Sequence, residues 1–156
     1  MAYAASQNGI DFIKSAEQLE LTSYLDSAGM WTIGWGSITY LDGTHVKGGE
    51  HITQEVAEQL LDREIADKGA FVNAVVTGVD LTQNQFDALL SFTYNLGTYA
   101  LERSTLLKTV KRNPKDPFIR ACFLMWNKIR DPKTGRLVPL AGLTVRRRKE
   151  ADLYFT

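Results

Sequence analysis

The chain has 156 residues, of which 44% are hydrophobic and 23% are charged. This composition is ordinary for a globular domain and excludes a disordered chain. A chain of this length buries roughly 70% of the surface that its unfolded form exposes, so it can fold without disulfide or metal cross-links. The formal net charge is zero, yet residues 1–100 hold 4 Lys and Arg against 13 Asp and Glu, and residues 101–156 hold 14 against 5. Two interpretations stay open: two solvated faces that attract each other, or a basic surface for a polyanion such as cell wall or nucleic acid.

The first half of the chain predicts a helix, a small sheet and a long helix. The first helix runs from Ser6 to Glu20, with Ser6 or Asn8 as its cap. Residues 22–47 are rich in β-branched and aromatic side chains with turn signals between them, which predicts an antiparallel sheet of about three strands. Thr53 then caps a helix that continues to about residue 77 and spans ~35 Å, long enough to join two lobes.

The second half predicts a group of helices. Residues 82–85 form a capping box that opens a helix ending near Gly97. Ser104 caps a short helix to about Arg112, and residues 131–135 form a turn. The remaining two helices hold residues 118–125 and 146–153. The whole chain is therefore predicted to be one α+β domain: a sheet lobe at about 20–52, a linking helix at about 53–77, and a helical lobe at about 78–156 that includes the N-terminal helix.

Several site types and locations are disfavoured by the same sequence. Cys122 lies in an apolar run, so we expect a buried structural thiol. His45 and His51, with a few nearby carboxylates, match no defined ligand spacing, so we expect no metal and no cofactor. The N-terminus lacks the pattern of a signal peptide, and no apolar run approaches ~20 residues, which predicts a protein held in the cytoplasm until it is released.

Three residues suggest a catalytic centre. Glu17 lies at the end of the first helix, Asp26 in the first turn of the sheet, and Thr32 on the next strand, so all three side chains can face one cleft. Glycoside hydrolysis needs two carboxyl groups, one protonated to donate to the leaving oxygen and one ionised. Glu17 fits the first role and Asp26 the second, while Thr32 can position a water. On spacing alone, a solvated helix-end carboxylate and an ordinary turn aspartate remain the alternative.

The surrounding residues narrow these alternatives. Residues 17–36 read EQLELTSYLDSAGMWTIGWG and closely resemble the signature of the phage-type lysozymes, glycoside hydrolase family 24. The resemblance spans nearly the whole chain. Further matching segments are Ile52-Thr53, residues 85–89, residues 92–97, residues 104–107, residues 126–128, Gly142-Leu143 and residues 146–151.

This resemblance implies a lysozyme-like fold and a muramidase that cleaves the β-1,4 bond between N-acetylmuramic acid and N-acetylglucosamine. It implies that Glu17 is the proton donor and that Asp26 with Thr32 handles the attacking water. It also implies action on peptidoglycan glycan strands and release by a holin. We expect a monomer without cofactor or membrane anchor. The positions that line the sugar cleft in relatives are Tyr94, Asn95, Ser104 and Thr105.

Two positions depart from the family pattern. Gln18 replaces the usual glycine after the catalytic glutamate, and Ser37 replaces the usual histidine after Gly36. We hypothesise that losing this histidine shifts the pH range of stability or activity. A pH profile unchanged in a Ser37→His variant would count against this.

The aromatic residues of the sheet segment are expected to pack in the core, with stacking on sugar rings as the alternative. Strand alternation places Trp31 and Trp35 on one face and Thr32 on the other. If Thr32 faces the cleft, Trp31 packs beneath it. A bulge at Gly34 or Gly36 would break this inference for Trp35.

Three rival functions remain at this point. A lytic transglycosylase would use Glu17 without an activated water, and a cell-wall-binding module would keep the fold without turnover. Nucleic-acid binding through residues 146–149 is the third, but no recognition motif accompanies that basic run, so we expect no nucleic-acid partner. The run is expected to contact wall phosphate or the acidic half of the chain.

Overall fold

The computed structural model describes residues 2–156 and confirms the α+β class. Helices dominate these residues, and the strands form two small antiparallel sheets. In chain order the elements are α1 (Gln7–Glu17), β1 (Glu20–Leu25), β2 (Trp31–Gly34), α2 (Gln54–Val75), α3 (Gln83–Leu96), α4 (Thr98–Arg103), α5 (Thr105–Arg112), α6 (Ile119–Leu124), β3 (Lys128–Arg130), β4 (Leu137–Pro139) and α7 (Ala141–Tyr154).

The chain divides into two compact units, and residues 10–67 form one of them. Its sheet pairs β1 with β2 and has an irregular register between Glu20 and Tyr24. Its core contains Ile33, Val46 and Leu60, each less than 5% exposed. Burying these side chains removes apolar surface from water and fixes β2 against the first half of α2.

The predicted third strand of this sheet is wrong. After β2 the chain makes single bridges, from Ile33 to Ser37 and from Thr39 to His45. Gly34 and Gly36 adopt φ angles of 68° and 96°, a left-handed backbone that glycine tolerates. This backbone turns the chain back on itself at once, so Ser37 pairs with Ile33 before a new strand can begin.

The other unit contains residues 2–9 and 68–156 and is helical apart from the β3–β4 hairpin. Helix α3 is buried from Gln85 to Thr93 and packs against α7, which also packs against α6. The rings of Phe123 and Trp126 meet Phe92 edge-on, each with 5.9 Å between ring centroids. This aromatic cluster fixes the position of Trp126 against the core. The predicted lobe boundaries stay a prediction.

The predicted helix caps are confirmed. The Ser6 hydroxyl accepts a hydrogen bond from the Gly9 amide at 3.0 Å, and the Thr53 hydroxyl accepts one from the Val56 amide at 3.2 Å. The capping box at residues 82–85 is present, and Ser104 caps α5. Each hydroxyl satisfies an amide that the first turn of a helix leaves without a partner.

Two predicted helix boundaries differ from the structure, and two elements were not predicted. Helix α1 ends at Glu17 rather than Glu20, because Gln18 leaves the helical conformation and β1 begins at Glu20. Helix α7 begins at Ala141, five residues earlier than predicted, because its packing on α3 outweighs the weak helix propensity of Gly142. Helix α4 and the β3–β4 hairpin were not predicted, since they are too short for a periodic signal.

Three smaller findings complete the fold. Cys122 is 0% exposed, which confirms the buried thiol, and its sulfur lies 3.6 Å from the Thr109 hydroxyl. Between residues 2 and 156, no helix has both the length and the apolar composition needed to cross a membrane. The same residues contain no group of three or more His, Cys, Asp and Glu side chains that could hold a metal ion.

Candidate active site

Glu17 is the last residue of α1, and its side chain is half-buried. The helix ends there because Gln18 adopts a φ angle of 53° while its amide still bonds to the Lys14 carbonyl at 3.2 Å. Lys14 fixes the last turn of the helix, since its ammonium pairs with Glu58 at 2.8 Å and lies 4.9 Å from the centroid of the Trp35 ring. The position of Glu17 is therefore set by the end of a well-anchored helix.

Asp26 occupies the turn that joins β1 to β2. One carboxylate oxygen, Oδ1, accepts hydrogen bonds from the amides of Ala28 at 2.9 Å and Met30 at 2.8 Å. These bonds close the turn in the usual manner of a turn aspartate. The other oxygen, Oδ2, accepts no hydrogen bond from any residue between 2 and 156. One oxygen of Asp26 thus orients the side chain, and the other stays open for a ligand.

Thr32 lies on β2, opposite Tyr24 in the antiparallel register, and is 3% exposed. Its hydroxyl donates to the Met30 carbonyl at 2.9 Å. Met30 therefore anchors both candidate residues, since its amide binds Asp26 and its carbonyl accepts from Thr32. Because the Thr32 hydroxyl has used its hydrogen, its free lone pairs can accept a hydrogen bond from a water molecule.

Tyr24 links the candidate carboxylates electrostatically. Burial raises the pKa of Tyr24 above its ordinary value of 10.0, and the charges of Glu17, Glu20 and Asp26 raise that pKa further. Glu17 and Asp26 are therefore both electrostatically coupled to the Tyr24 hydroxyl. The structure thus brings the three predicted catalytic residues to the surroundings of one half-buried tyrosine. Their catalytic roles stay a prediction.

The expected core packing of the aromatic strand residues is confirmed for Trp35 and wrong for Trp31. Thr32 is buried, whereas Trp31 is 38% exposed, and its ring lies 2.7 Å from the position that a Cβ at residue 48 would occupy. Trp35 is only 5% exposed, so the two tryptophans do not share a face. The cause is Gly34, whose left-handed backbone interrupts the alternation of the strand.

Ser37, at the position of the family histidine, is 1% exposed. Its backbone exchanges two hydrogen bonds with Ile33, each 2.9 Å long. Within residues 2–156 its hydroxyl has no hydrogen-bond partner. A buried hydroxyl without a partner lowers stability, so serine at this position gives the fold a polar atom that it does not use.

Asn95, one of the predicted sugar-contacting residues, is held by a buried arginine. The Asn95 Oδ1 accepts a hydrogen bond from Arg147 Nη2 at 2.6 Å, and Arg147 is 0% exposed. Arg147 in turn pairs with Glu150 at 2.8 Å. With its oxygen engaged, Asn95 keeps its amide hydrogens as donors for a ligand.

Glu150 is the centre of this ion-pair network, which the sequence reasoning missed. It is 0% exposed, pairs with Arg146 at 3.3 Å as well as with Arg147, and accepts a hydrogen bond from the Ser91 hydroxyl at 2.6 Å. Burial raises the pKa of Glu150, and the charges of the two arginines oppose that rise. The sequence did hold a signal for these ion pairs, because Arg147 and Arg146 precede Glu150 by three and four residues on one helix.

The interpretation of residues 146–149 as a basic surface is consequently wrong for its first two members. Arg146 and Arg147 are buried with Glu150, and only Arg148 and Lys149 face the solvent. The surface charge of α7 is therefore lower than the run of four cations suggests.

The other predicted sugar-contacting residues lie on α3 and around the start of α5. Ser104 is 1% exposed, and its hydroxyl accepts from the Leu107 amide at 3.0 Å and donates to the Leu101 carbonyl at 2.7 Å. Ser104 and Thr105 line a cavity of about 640 Å³. Tyr94 is half-buried. Whether these residues contact a sugar stays a prediction.

Comparison with known proteins identifies the family. The profile of the phage lysozyme family matches residues 14–150, which include all seven predicted site residues. The endolysin of Acyrthosiphon pisum secondary endosymbiont phage 1 is 40% identical over 151 residues, covering 96% of this chain and 96% of that protein. The endolysin of Bacillus phage B103 is 38% identical over 97% of this chain, which spans 54% of that longer protein.

Solved structures confirm the lysozyme-like fold. An endolysin from Escherichia coli O157:H7 phage FAHEc1 superposes with a TM-score of 0.84 and 44% identity, over 97% of this chain and 93% of that one. The muramidase domain of SpmX from Asticaccaulis excentricus superposes with a TM-score of 0.86 and 31% identity, over 99% of each chain. The chain belongs to the phage lysozyme family.

Proposed function

We propose that this chain is a muramidase that hydrolyses the β-1,4 bond between N-acetylmuramic acid and N-acetylglucosamine in peptidoglycan, and that its role is host cell lysis. The family and the endolysin relatives support a glycosidase acting on cell walls. The observation that carries the proposal is that Met30 binds both Asp26 and Thr32, while Glu17 ends α1 three residues before the strand that leads to them.

In the proposed reaction, Glu17 is the general acid. Its proton passes to the glycosidic oxygen as the bond from that oxygen to the anomeric carbon breaks. The product on this side is the free hydroxyl of N-acetylglucosamine. The half-buried position of Glu17 at the end of α1 suits this role, because the carboxyl group is held in place before the substrate arrives.

Asp26 and Thr32 are proposed to direct the attacking water. The open oxygen of Asp26 accepts a proton from the water while the water oxygen bonds to the anomeric carbon. The Thr32 hydroxyl oxygen accepts a hydrogen bond from the other O–H of the same water, and that hydrogen stays on the water oxygen. The backbone of Met30 binds both side chains and so fixes their positions relative to each other. The net reaction adds one water for each bond that is cut.

Four residues of the helical unit are proposed to contact the sugar. Asn95 offers amide hydrogens because Arg147 occupies its oxygen. Thr105 is exposed at the cavity that it lines with Ser104. Tyr94 is proposed as a fourth contact on the strength of the family resemblance.

The two alternatives, a lytic transglycosylase and a cell-wall-binding module, have no observation in their favour. The open carboxylate oxygen of Asp26 beside Thr32 favours hydrolysis, since a transglycosylase needs no activated water. The test is clearing of permeabilised Gram-negative cells by wild type, Glu17→Gln and the matched control Glu20→Gln, which removes a neighbouring exposed carboxylate. Glu17→Gln is expected to bind walls normally and to clear cells at least about a hundredfold more slowly.

The outcomes separate the functions. A wild-type protein that binds walls without clearing cells would favour the binding module. A Glu17→Gln variant that clears cells as fast as Glu20→Gln would remove Glu17 from the mechanism. The control is expected to stay within a few fold of wild type.

We also propose that the protein is a monomer and that, as the family resemblance implies, its release to the wall depends on a holin. Light scattering after size exclusion is expected to give one chain per particle. Expression in Escherichia coli is expected to lyse the culture only when a holin is co-expressed. A dimer, or prompt lysis without the holin, would contradict these two points.

A further inference from the structure

The cavity beside Ser104 and Thr105 carries uncompensated positive charge. Its lining includes three cationic side chains and no carboxylate, and its volume is about 640 Å³. The three cations are Arg103, Lys128 and Arg130, all exposed, and none forms an ion pair with a residue between 2 and 156. A concave surface lined by charges of one sign attracts ligands of the opposite sign.

Arg103 lies over two aromatic rings. Its guanidinium lies 5.0 Å from the centroid of Tyr99 and 5.4 Å from that of Trp126. Trp126 also lines the cavity and rests edge-on against Phe92 of the core. Stacking on ring faces leaves the N–H groups at the edge of the guanidinium available, and these groups match a carboxylate in a bidentate manner.

The β3–β4 hairpin contributes the other two cations. Lys128 and Arg130 lie two residues apart on β3, and alternation along a strand directs both to the same face. Arg130 is further oriented by a hydrogen bond from Nη1 to the Gly135 carbonyl. Two cations from the hairpin thus face the same cavity as Arg103.

We propose that this cavity binds the free carboxylates of the peptide stems of peptidoglycan. The proposal rests on the muramidase function above and names the part of the substrate that this cavity recognises. The amino sugars of an unmodified strand carry no charge once the lactyl group is amide-linked to the stem, so the anionic groups of the substrate lie on the peptides. Ser104 and Thr105 line the same cavity, so a strand held by these two residues would present its stems to the three cations.

The test measures binding in the Glu17→Gln background, so that no substrate is consumed. The probe is a preparation of purified sacculi from a Gram-negative bacterium, which lack wall polymers rich in phosphate. The free amines of all sacculi are acetylated. The preparation is then divided in two, and in one portion the carboxylates are coupled to methylamine with carbodiimide, which converts them to methylamides. The test variant is Lys128→Gln with Arg130→Gln. The matched control is Lys133→Gln with Arg136→Gln, which removes the same charge from exposed positions of the same hairpin outside the cavity lining.

The parent is expected to bind amidated sacculi about tenfold more weakly than native sacculi, as for two exposed ion pairs lost together. The test variant is expected to bind native sacculi about tenfold more weakly and to lose the distinction between the two preparations. The control is expected to keep that distinction. Equal discrimination by parent and test variant, or an equal loss in the control, would overturn the proposal.

Failure of the proposed function reads out separately. Release of reducing ends from native sacculi by wild type measures turnover, while the binding comparison needs none. Discrimination without turnover would leave stem recognition in place and refute the muramidase. Turnover without discrimination would support the muramidase and refute stem recognition by this cavity.

Discussion

Gln18 directly follows the candidate catalytic glutamate, and replacing it by glycine is expected to raise the free energy of unfolding of the protein. Gln18 has a φ angle of 53°, the left-handed conformation that a side chain with a Cβ disfavours by roughly 1–2 kcal/mol. Glycine lacks that penalty, but it loses more backbone freedom on folding, and this loss offsets roughly 0.4–1 kcal/mol of the gain. The net gain is therefore about 0.8 kcal/mol, which raises the Tm by about 2–3 °C in a chain of this length.

Urea denaturation followed by circular dichroism measures this gain as a shift of the midpoint at unchanged slope. Gln18→Ala is the first control, because it removes the side chain but keeps the Cβ, and it is expected to give no gain. Ala66→Gly, at an exposed position inside α2, is the second control and is expected to destabilise by about 1 kcal/mol. If Gln18→Gly is no more stable than Gln18→Ala, strain at the end of α1 is not the reason for the family glycine.

Three further predictions concern groups whose surroundings the structure specifies. Glu150→Gln is expected to destabilise the protein by at least about 3 kcal/mol in urea, because it removes the negative charge that pairs with two buried guanidinium groups; a change below about 1 kcal/mol would show that the pairs contribute little. Ser37→Ala is expected to raise stability by about 1 kcal/mol, since the buried hydroxyl has no partner within residues 2–156, whereas the exposed control Ser27→Ala should change nothing; a loss would imply a bound water. The pKa of Tyr24, followed by NMR of its ring carbons, is expected above 10.0 and to fall in Glu17→Gln but not in Asp42→Asn. Because the folded state holds this proton more tightly than the unfolded chain, the proton's contribution to stability is complete below pH 10 and is lost as the pH rises through the folded pKa. A Tyr24 pKa that is the same in wild type and Glu17→Gln would show that Glu17 and Tyr24 do not interact.

Local chemistry made much of the fold predictable from the sequence. The caps at Thr53, Thr82 and Ser104 each depend on a hydroxyl and an amide three residues apart, so no distant part of the chain is needed to form them. The turn at Asp26 follows the same logic, because its carboxylate bonds to amides two and four residues ahead. For this reason the sequence alone allowed the prediction that Glu17, Asp26 and Thr32, which are close together in the chain, lie in one site.

Features that depend on backbone conformation or distant contacts could not be predicted. The missing third strand follows from the left-handed backbone of Gly34 and Gly36, which the residue type allows but does not require. The network around Glu150 reaches Ser91, 59 positions earlier in the chain, so a basic run that looked exposed proved to be half-buried. The hairpin that carries Lys128 and Arg130 has strands of three residues, too short to show alternation.

The most direct test of the account is mass spectrometry of the fragments released from purified sacculi by wild type and by Glu17→Gln. Wild type is expected to release muropeptides with reducing ends, each heavier by one water than the corresponding 1,6-anhydro product. Glu17→Gln is expected to release none above background. Anhydro products from wild type would contradict the proposed role of Asp26 and Thr32, and unchanged release by Glu17→Gln would contradict the proposed role of the glutamate itself.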